Sequence, residues 1–495
     1  MLRIFNSSRA DLPLADAQGV ARSVEDLESL PPQEAVREAA EWLETLSQFK
    51  ESDSAALLGL LAQVDEATQP AVRALREEYV APQPLLPRAE LWVRARHFWT
   101  QLAERYEELL RVVRQSETKL PSAPMAELCV RLIRASAGEQ RWDSLHYGPF
   151  DHRHWSRVGD AYLAAQQNDL LEAHVVIRPP RQTETCVARE YLRSVALATA
   201  ALDELDEVQV EQAWRLLHYV LPSLRLDFES TTDSIFWIHP ASGRPPQRMV
   251  RPPSEGERPL YFSGSAAREA LQHLQSLVRE GNPPPTLALN SDEDYDRLGP
   301  LLEHLIRHWS AEPPVRRHRR HKLRAQLQVV EGLEFVTDHL SGLVGLPVSN
   351  WEQIDVSLNG VGASAPLTEK RPLRIGSLVG MLSEDGNRWL VGMVRRMRRE
   401  AQERALVGVE ILSWHPLSAR ADDGARELRV LLLDPLTRGG NIRVAIPEGP
   451  MRRAAPLYLI GHNKAVKLIP QSLIERGADF EIRCYQLAGD VTDAQ

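Results

Sequence analysis

Two short segments carry the residues whose types and spacing could do chemistry. Six of the nine residues from Arg316 to Arg324 are Arg or Lys, and within that run Arg319 and Arg320 are followed, after three residues, by Arg324. The pattern is R-R-x-x-x-R. Further along, Asp355-Val-Ser357-Leu-Asn-Gly360 reads D-x-S-x-x-G. A guanidinium is a planar fork of donors that can grip an oxyanion or a base edge with two parallel hydrogen bonds, which a lysine cannot do. A carboxylate and a hydroxyl two residues apart supply acceptors, and a glycine leaves room for a tight turn or a close ligand. The chain as a whole carries a net charge of −9. A sharply local basic patch on an acidic protein points to a small anionic ligand more than to a long nucleic acid.

In this order, ahead of several short apolar strands, the two segments resemble the signature motifs of the PilZ domain, a family that binds the bacterial messenger cyclic di-GMP. The resemblance covers roughly Arg316 to Pro416, and it implies an antiparallel barrel with a ligand at its rim. In that family the arginines meet phosphates and the O6/N7 edges of guanine. The aspartate accepts from guanine N1–H and N2–H2, the serine meets a phosphate or base edge, and the glycine keeps the turn open. Residue by residue these roles fall on Arg319, Arg320, Arg324, Asp355, Ser357 and Gly360. Arg316 and Arg320 form a second R-x-x-x-R register, although the doublet and the strand that Arg324 opens favour Arg320 with Arg324. Val407-Gly-Val-Glu-Ile resembles a late G-x-x-F strand of the family with Ile411 in place of the aromatic. The separation of Arg324 from Asp355 is long for the family, so the insert around Asp338-His-Leu-Ser-Gly is expected as a loop or short helix against the barrel.

With 495 residues the chain is too long for one core, and two to four domains are expected. No apolar run reaches the roughly 18 to 20 residues that cross a bilayer. The start, Met1-Leu-Arg-Ile-Phe-Asn, lacks the long apolar stretch of a signal peptide. Three widely separated cysteines, Cys129, Cys186 and Cys484, suggest neither a disulfide framework nor a zinc site and suit a reducing cytoplasm.

The elements that must position the two motifs follow from periodicity. From about Leu12 to Leu171 apolar residues recur at helical spacing, as in Val36, Ala39, Ala40, Leu43 and Leu46 or Leu102, Tyr106, Leu109, Leu110 and Val113. Arg189 to Leu224 continues in the same manner. Ser234 to His239 reads as a strand, His239 to Pro259 as a Pro-rich loop or hairpin, and Ala266 to Val278 and Leu298 to Trp309 as helices. After Glu312 the period changes. Leu323, Ala325, Leu327 and Val329 should point one way and Arg324, Gln326 and Gln328 the other. Further strands are expected over Gln353–Leu358, Ser377–Leu382, Trp389–Met397, Ala405–Leu412, Leu428–Leu433, Asn441–Ile446, Leu457–Leu459, Lys464–Leu468 and Asp479–Gln486. The fold class is therefore α+β multidomain. The expected parts are a helical bundle over 1–175, a mostly helical middle over 176–312, a PilZ-like barrel over 313–420 and a small β extension over 421–490.

Other clusters favour structural readings. His304 and His308 are spaced i, i+4 but lack a further ligand or an H-E-x-x-H pattern, so they read as a helix surface pair and no metal is expected. His146, His152 and His154 lie among Trp142, Tyr147, Phe150 and Trp155, as in a polar–aromatic loop packed on the bundle. Trp92, Trp99 and Tyr106 read as core. Arg395, Arg396, Arg398 and Arg399 could extend a phosphate field or meet RNA, and a solvated hairpin tip is an equal account. Nucleotide-binding, hydrolase and kinase motifs are missing, as are G-G-D-E-F and E-A-L signatures.

The sequence thus reads as a bacterial, cytoplasmic cyclic di-GMP effector that is not an enzyme and needs no cofactor. Ordering of the basic segment by the ligand would re-orient the barrel and change a partner surface. A protein partner would act through the helical part, with no membrane insertion and little place for nucleic acid. The alternative is an RNA- or protein-binding scaffold whose barrel has lost its ligand.

Overall fold

The computed structural model describes residues 26–46, 53–116, 119–177, 183–254, 258–287, 289, 292–312, 318–343, 345, 347–368, 373–384, 386, 388–401, 403–437, 439–449, 455–460 and 465–488. Parts of several expectations lie outside these residues: the helical period before Asp26, Arg316 at the start of the basic run, and Lys464. The chain forms two units. One comprises residues 1–146, 150–202 and 207–314, the other 147–149, 203–206 and 315–495.

The first unit is built on helices α1 (Pro32–Leu46), α2 (Ser54–Val80), α3 (Arg88–Gln115), α4 (Ser122–Leu145) and α5 (His154–Gln167). Proline opens α1, where its missing N–H costs nothing and its fixed φ suits the first turn. Asp53 caps α2, its Oδ1 accepting from the backbone N–H groups of Ala55 (2.9 Å) and Ala56 (3.2 Å), which satisfies donors that a helix start leaves open. The expected apolar stripes are the buried ones. Val36, Ala39, Ala40, Leu43 and Leu46 line α1, and Trp92, Trp99 and Tyr106 are buried on α3 with Leu102, Leu109, Leu110 and Val113. A Cβ at Gly138 would stand 2.5 Å from the Trp99 ring, so glycine there sets how closely α4 approaches.

Charge is also buried in this unit. The Arg157 side chain is 0% exposed and is ringed by Glu107 and Glu139, each at 2.9 Å, and by Asp151 at 3.2 Å. Such a cation is tolerated only because its partners surround it.

A hairpin, β1 (Val175–Ile177) with β2 (Thr183–Thr185), precedes α6 (Val187–Thr199) and α7 (Glu207–Val220). Strands β3 (Arg225–Asp227), β4 (Ser234–Ile238), β5 (Gln247–Arg248) and β6 (Leu260–Ser263) form a sheet in the order β3-β6-β4-β5. Helices α8 (Ser265–Arg279) and α9 (Asp292–His308) follow.

The second unit holds two closed six-stranded antiparallel barrels. The first runs β7 (His321–Glu331), β8 (Ser349–Ser357), β9 (Gly360–Pro366), β10 (Leu378–Ser383), β11 (Leu390–Ala401) and β12 (Arg404–Ser413). Its strand order is β10-β11-β12-β9-β8-β7, closed by β7 pairing with β10. Leu327, Val329, Trp351, Val361, Ala363, Val394, Val407 and Val409 fill its interior. Helix α10 (Leu333–Leu340) is the insert between β7 and β8.

The segment expected as a small β extension closes on itself. Strands β13 (Leu417–Asp422), β14 (Glu427–Leu432), β15 (Asn441–Pro447), β16 (Leu457–Ile460), β17 (Ala465–Arg476) and β18 (Phe480–Leu487) form a second barrel in the order β13-β14-β15-β18-β17-β16. Closure rests on a short non-local pairing, Ala421 with Leu459 and Asp422 with Tyr458. The two barrels share a core. Val330, Leu378, Val391 and Met393 of the first meet Leu431, Ala445, Phe480 and Ile482 of the second, with Leu333 and Val336 of α10 between them. Gly332, at φ 88°, turns the chain from β7 into α10, a conformation that favours glycine.

Candidate functional site

The strand pattern that builds the site is broken by two bulges. Leu327 and Val329 face the barrel interior as alternation requires, but Leu323, expected to join them, is 48% exposed. The reason is a register shift on β7: His321 and Lys322 pair with Val356 and Asp355, and pairing resumes at Ala325 with Gln353. Leu323 and Arg324 therefore stand together opposite the single residue Ile354. An extra residue in one strand swings its neighbours to the other face.

Strand β8 carries its own bulge against β9. Gln353 pairs with Ala363 and Asp355 with Gly362, leaving Ile354 extra. Trp351 and Gln353 are buried, and strict alternation would have sent Asp355 into the barrel after them. The extra residue turns Asp355 outward, while Val356 packs back onto the interior cluster. The β8 bulge thus places the carboxylate of the second motif on the outer face, where an arginine of the first reaches it.

On that face Arg320 Nη1 donates to both carboxylate oxygens of Asp355, at 3.2 and 3.3 Å. Arg319 and Arg324 are exposed. Ser357 Oγ donates to the Gly360 carbonyl at 3.3 Å across the two-residue turn Leu358-Asn359. Gly360 itself departs from expectation. Its φ is not left-handed, and a Cβ there would meet the Val409 carbonyl at 3.2 Å and Ser357 Oγ at 3.4 Å. It serves close strand approach at the start of β9 and leaves the turning to Leu358 and Asn359.

Three residues that neither motif specifies join the cluster. Asn359 Nδ2 lies 3.3 Å from His318 Nε2, so the basic segment meets the β8–β9 hairpin at a second point. Gly362 lies beneath the Asp355 carboxylate: a Cβ there would be 2.6 Å from Oδ1. Asn in a turn and His within the basic run were visible in the sequence, but only the cross-strand register shows what they meet.

The second basic run is largely neutralised. Arg395 Nε donates to Glu410 at 2.6 Å and its Nη2 to Glu475 at 2.7 Å, and Arg396 pairs with Asp203. Its first two arginines are structural rather than an extension of a phosphate field. His304, expected on a helix surface, is buried, with Nε2 2.8 Å from the Ala200 carbonyl. His146 stacks on Trp92 with ring centroids 4.2 Å apart, which fits the packed polar–aromatic reading.

The helical unit has an open cleft of about 510 Å³ between β2 and β3, lined by Cys186, Arg189, Leu192, Leu221 and Arg225 among others. Burial, with the nearby Glu172 carboxylate, pushes the Cys186 thiol up, which keeps it protonated and a poor nucleophile. Among the described residues, no helix is long and apolar enough to cross a membrane.

The fold and this cluster define an α+β multidomain protein whose helical part precedes paired antiparallel barrels, the first carrying arginines and a carboxylate on its outer face. Residues 18–231 match the family model described as the N-terminal domain of the cyclic-di-GMP receptor FimW. The match lies on the helical part, which bears neither motif, and not on the barrel region that resembles PilZ. No curated protein matches the chain.

Proposed function

We propose that this protein is a cyclic di-GMP receptor whose ligand binds on the outer face of the first barrel. Arg319, Arg320, Arg324, Asp355, Ser357 and Gly360 form the site. The observation that carries this reading is the meeting of Arg320 and Asp355, one from each motif, on a face to which plain strand alternation would not direct Asp355. The likeness of residues 18–231 to a cyclic-di-GMP receptor domain is independent support, because it rests on a different part of the chain.

In the ligand-free arrangement Arg320 and Asp355 satisfy one another. The messenger replaces that contact with stronger ones. Guanine N1–H and N2–H2 donate to Asp355, and the released guanidinium forks onto a guanine edge or a phosphate. The basic segment ahead of β7 then closes over the ligand and alters the surface offered to a protein partner. A ligand drives such a change only by its differential affinity for the two arrangements. The protein acts in the cytoplasm as a receptor and not as an enzyme.

Calorimetric titration with cyclic di-GMP, with GTP and cyclic di-AMP as controls, tests the proposal. Selective, saturable binding supports it. Absence of heat and of any thermal shift at high ligand excess overturns it.

A further inference from the structure

We infer that Gly362, which lies outside both motifs, is the positioning residue of this site: its missing side chain is what lets the Asp355 carboxylate lie on the outer face of the barrel where Arg320 reaches it. The inference deepens the receptor reading and rests on it.

Asp355 and Gly362 stand directly opposite one another across β8 and β9. A Cβ built at Gly362 would lie 2.6 Å from Oδ1, 2.9 Å from Cγ and 3.1 Å from Oδ2 of Asp355. All three are closer than ordinary contact, so rotating the carboxylate about its own axis gives no relief; the whole side chain has to leave. Gly362 has no left-handed φ, and its backbone would accept alanine. The glycine is present for space, and the three atoms nearest to that space all belong to Asp355.

The next residue in the same transverse row supplies a control. Gly408 on β12 pairs with Gly362, and a Cβ there would meet only Arg396 Cβ at 3.4 Å, an ordinary contact. Two glycines in one row differ in whether a carboxylate lies over them.

The test uses the full chain as wild type, Gly362→Ala, Gly408→Ala, Asp355→Ala and the Asp355→Ala/Gly362→Ala double variant. Each is titrated with cyclic di-GMP and melted without ligand. Gly362→Ala is expected to weaken binding about ten- to a hundredfold, the loss of one charge-assisted contact, while Gly408→Ala binds as wild type does. Without ligand, Gly362→Ala should lower the melting temperature in the wild-type background and not in the Asp355→Ala background, where the carboxylate that crowds the new methyl is gone. A purely structural glycine would cost the same in both backgrounds. Equal cost in both, or wild-type affinity in Gly362→Ala, overturns the inference while leaving the receptor reading standing. Failure of the wild type to bind removes the receptor reading and this inference together.

Discussion

Arg320 and Asp355, 35 positions apart in the chain, meet at 3.2 Å on the outside of the first barrel. The pair is part-exposed, with Arg320 at 41% and Asp355 at 25%. It therefore adds little to stability, of the order of 0–1 kcal/mol for a surface ion pair. In the proposed receptor its weight falls on recognition, since each partner is already oriented toward a ligand that would present donors and oxyanions.

Removing either partner should separate binding from folding. Arg320→Ala and Asp355→Ala are expected to lose cyclic di-GMP affinity by about tenfold or more, the cost of a charge-assisted contact, with melting temperatures close to wild type. Arg320→Lys should recover only part of the loss, because it restores charge without the fork. Calorimetry with parallel thermal melts checks both. Unchanged affinity in the two alanine variants would sink the site assignment.

Arg395 should behave in the opposite way. It ties Glu410 of the first barrel to Glu475 of the second. Arg395→Ala leaves two carboxylates facing each other and should destabilise the barrel pair by about 1–2 kcal/mol, discounted for its partial exposure, with cyclic di-GMP affinity unmoved. Urea unfolding alongside titration distinguishes this from a phosphate-contact role, which would reverse the two outcomes.

In the helical unit Arg157 has no route to solvent, and three close carboxylates depend on it. Arg157→Ala should cost about 3–5 kcal/mol, as expected when one member of a buried ionic cluster is removed. A fall in the denaturant midpoint with an unchanged slope would bear this out. A midpoint matching wild type would not.

A pH dependence follows from His154. Burial, reinforced by the neighbouring Arg157 charge, pushes its imidazole down from 6.5 to about 4. The unfolded chain takes up a proton in that interval and the folded chain does not. Its contribution is therefore complete above about pH 6.5 and is lost as pH falls toward 4, with a slope of up to about 1.4 kcal/mol per pH unit. His154→Phe should flatten the drop in melting temperature between pH 6.5 and 4. Identical profiles for variant and wild type would rule the histidine out as its source.

Much of this architecture was legible because it is local. Helical stripes such as Leu102-to-Val113 need only the 3.6-residue period, and alternation locates most strands of both barrels. Closure of the second barrel was not legible. It depends on β13 meeting β16, a pairing that nothing within either strand encodes. Leu323 was misplaced for a related reason: the bulge that exposes it shows only in how β7 pairs with β8. Spacing placed Asp355 near Arg320 only as an implication of resemblance. Burial of His304 reflects its contact with a distant carbonyl at Ala200, which an i, i+4 histidine pair does not reveal.

Closure has a consequence for what can recognise the C-terminal unit. In each barrel the first and last strands in spatial order are hydrogen-bonded to one another, so among the described residues neither sheet ends on a strand paired on one side alone. A binding protein that associates by laying down one more strand, a route also taken in aggregation, finds no open edge strand among the described residues to extend. A partner docking on this unit would then read side chains and turns, the surface that the proposed ligand would rewrite.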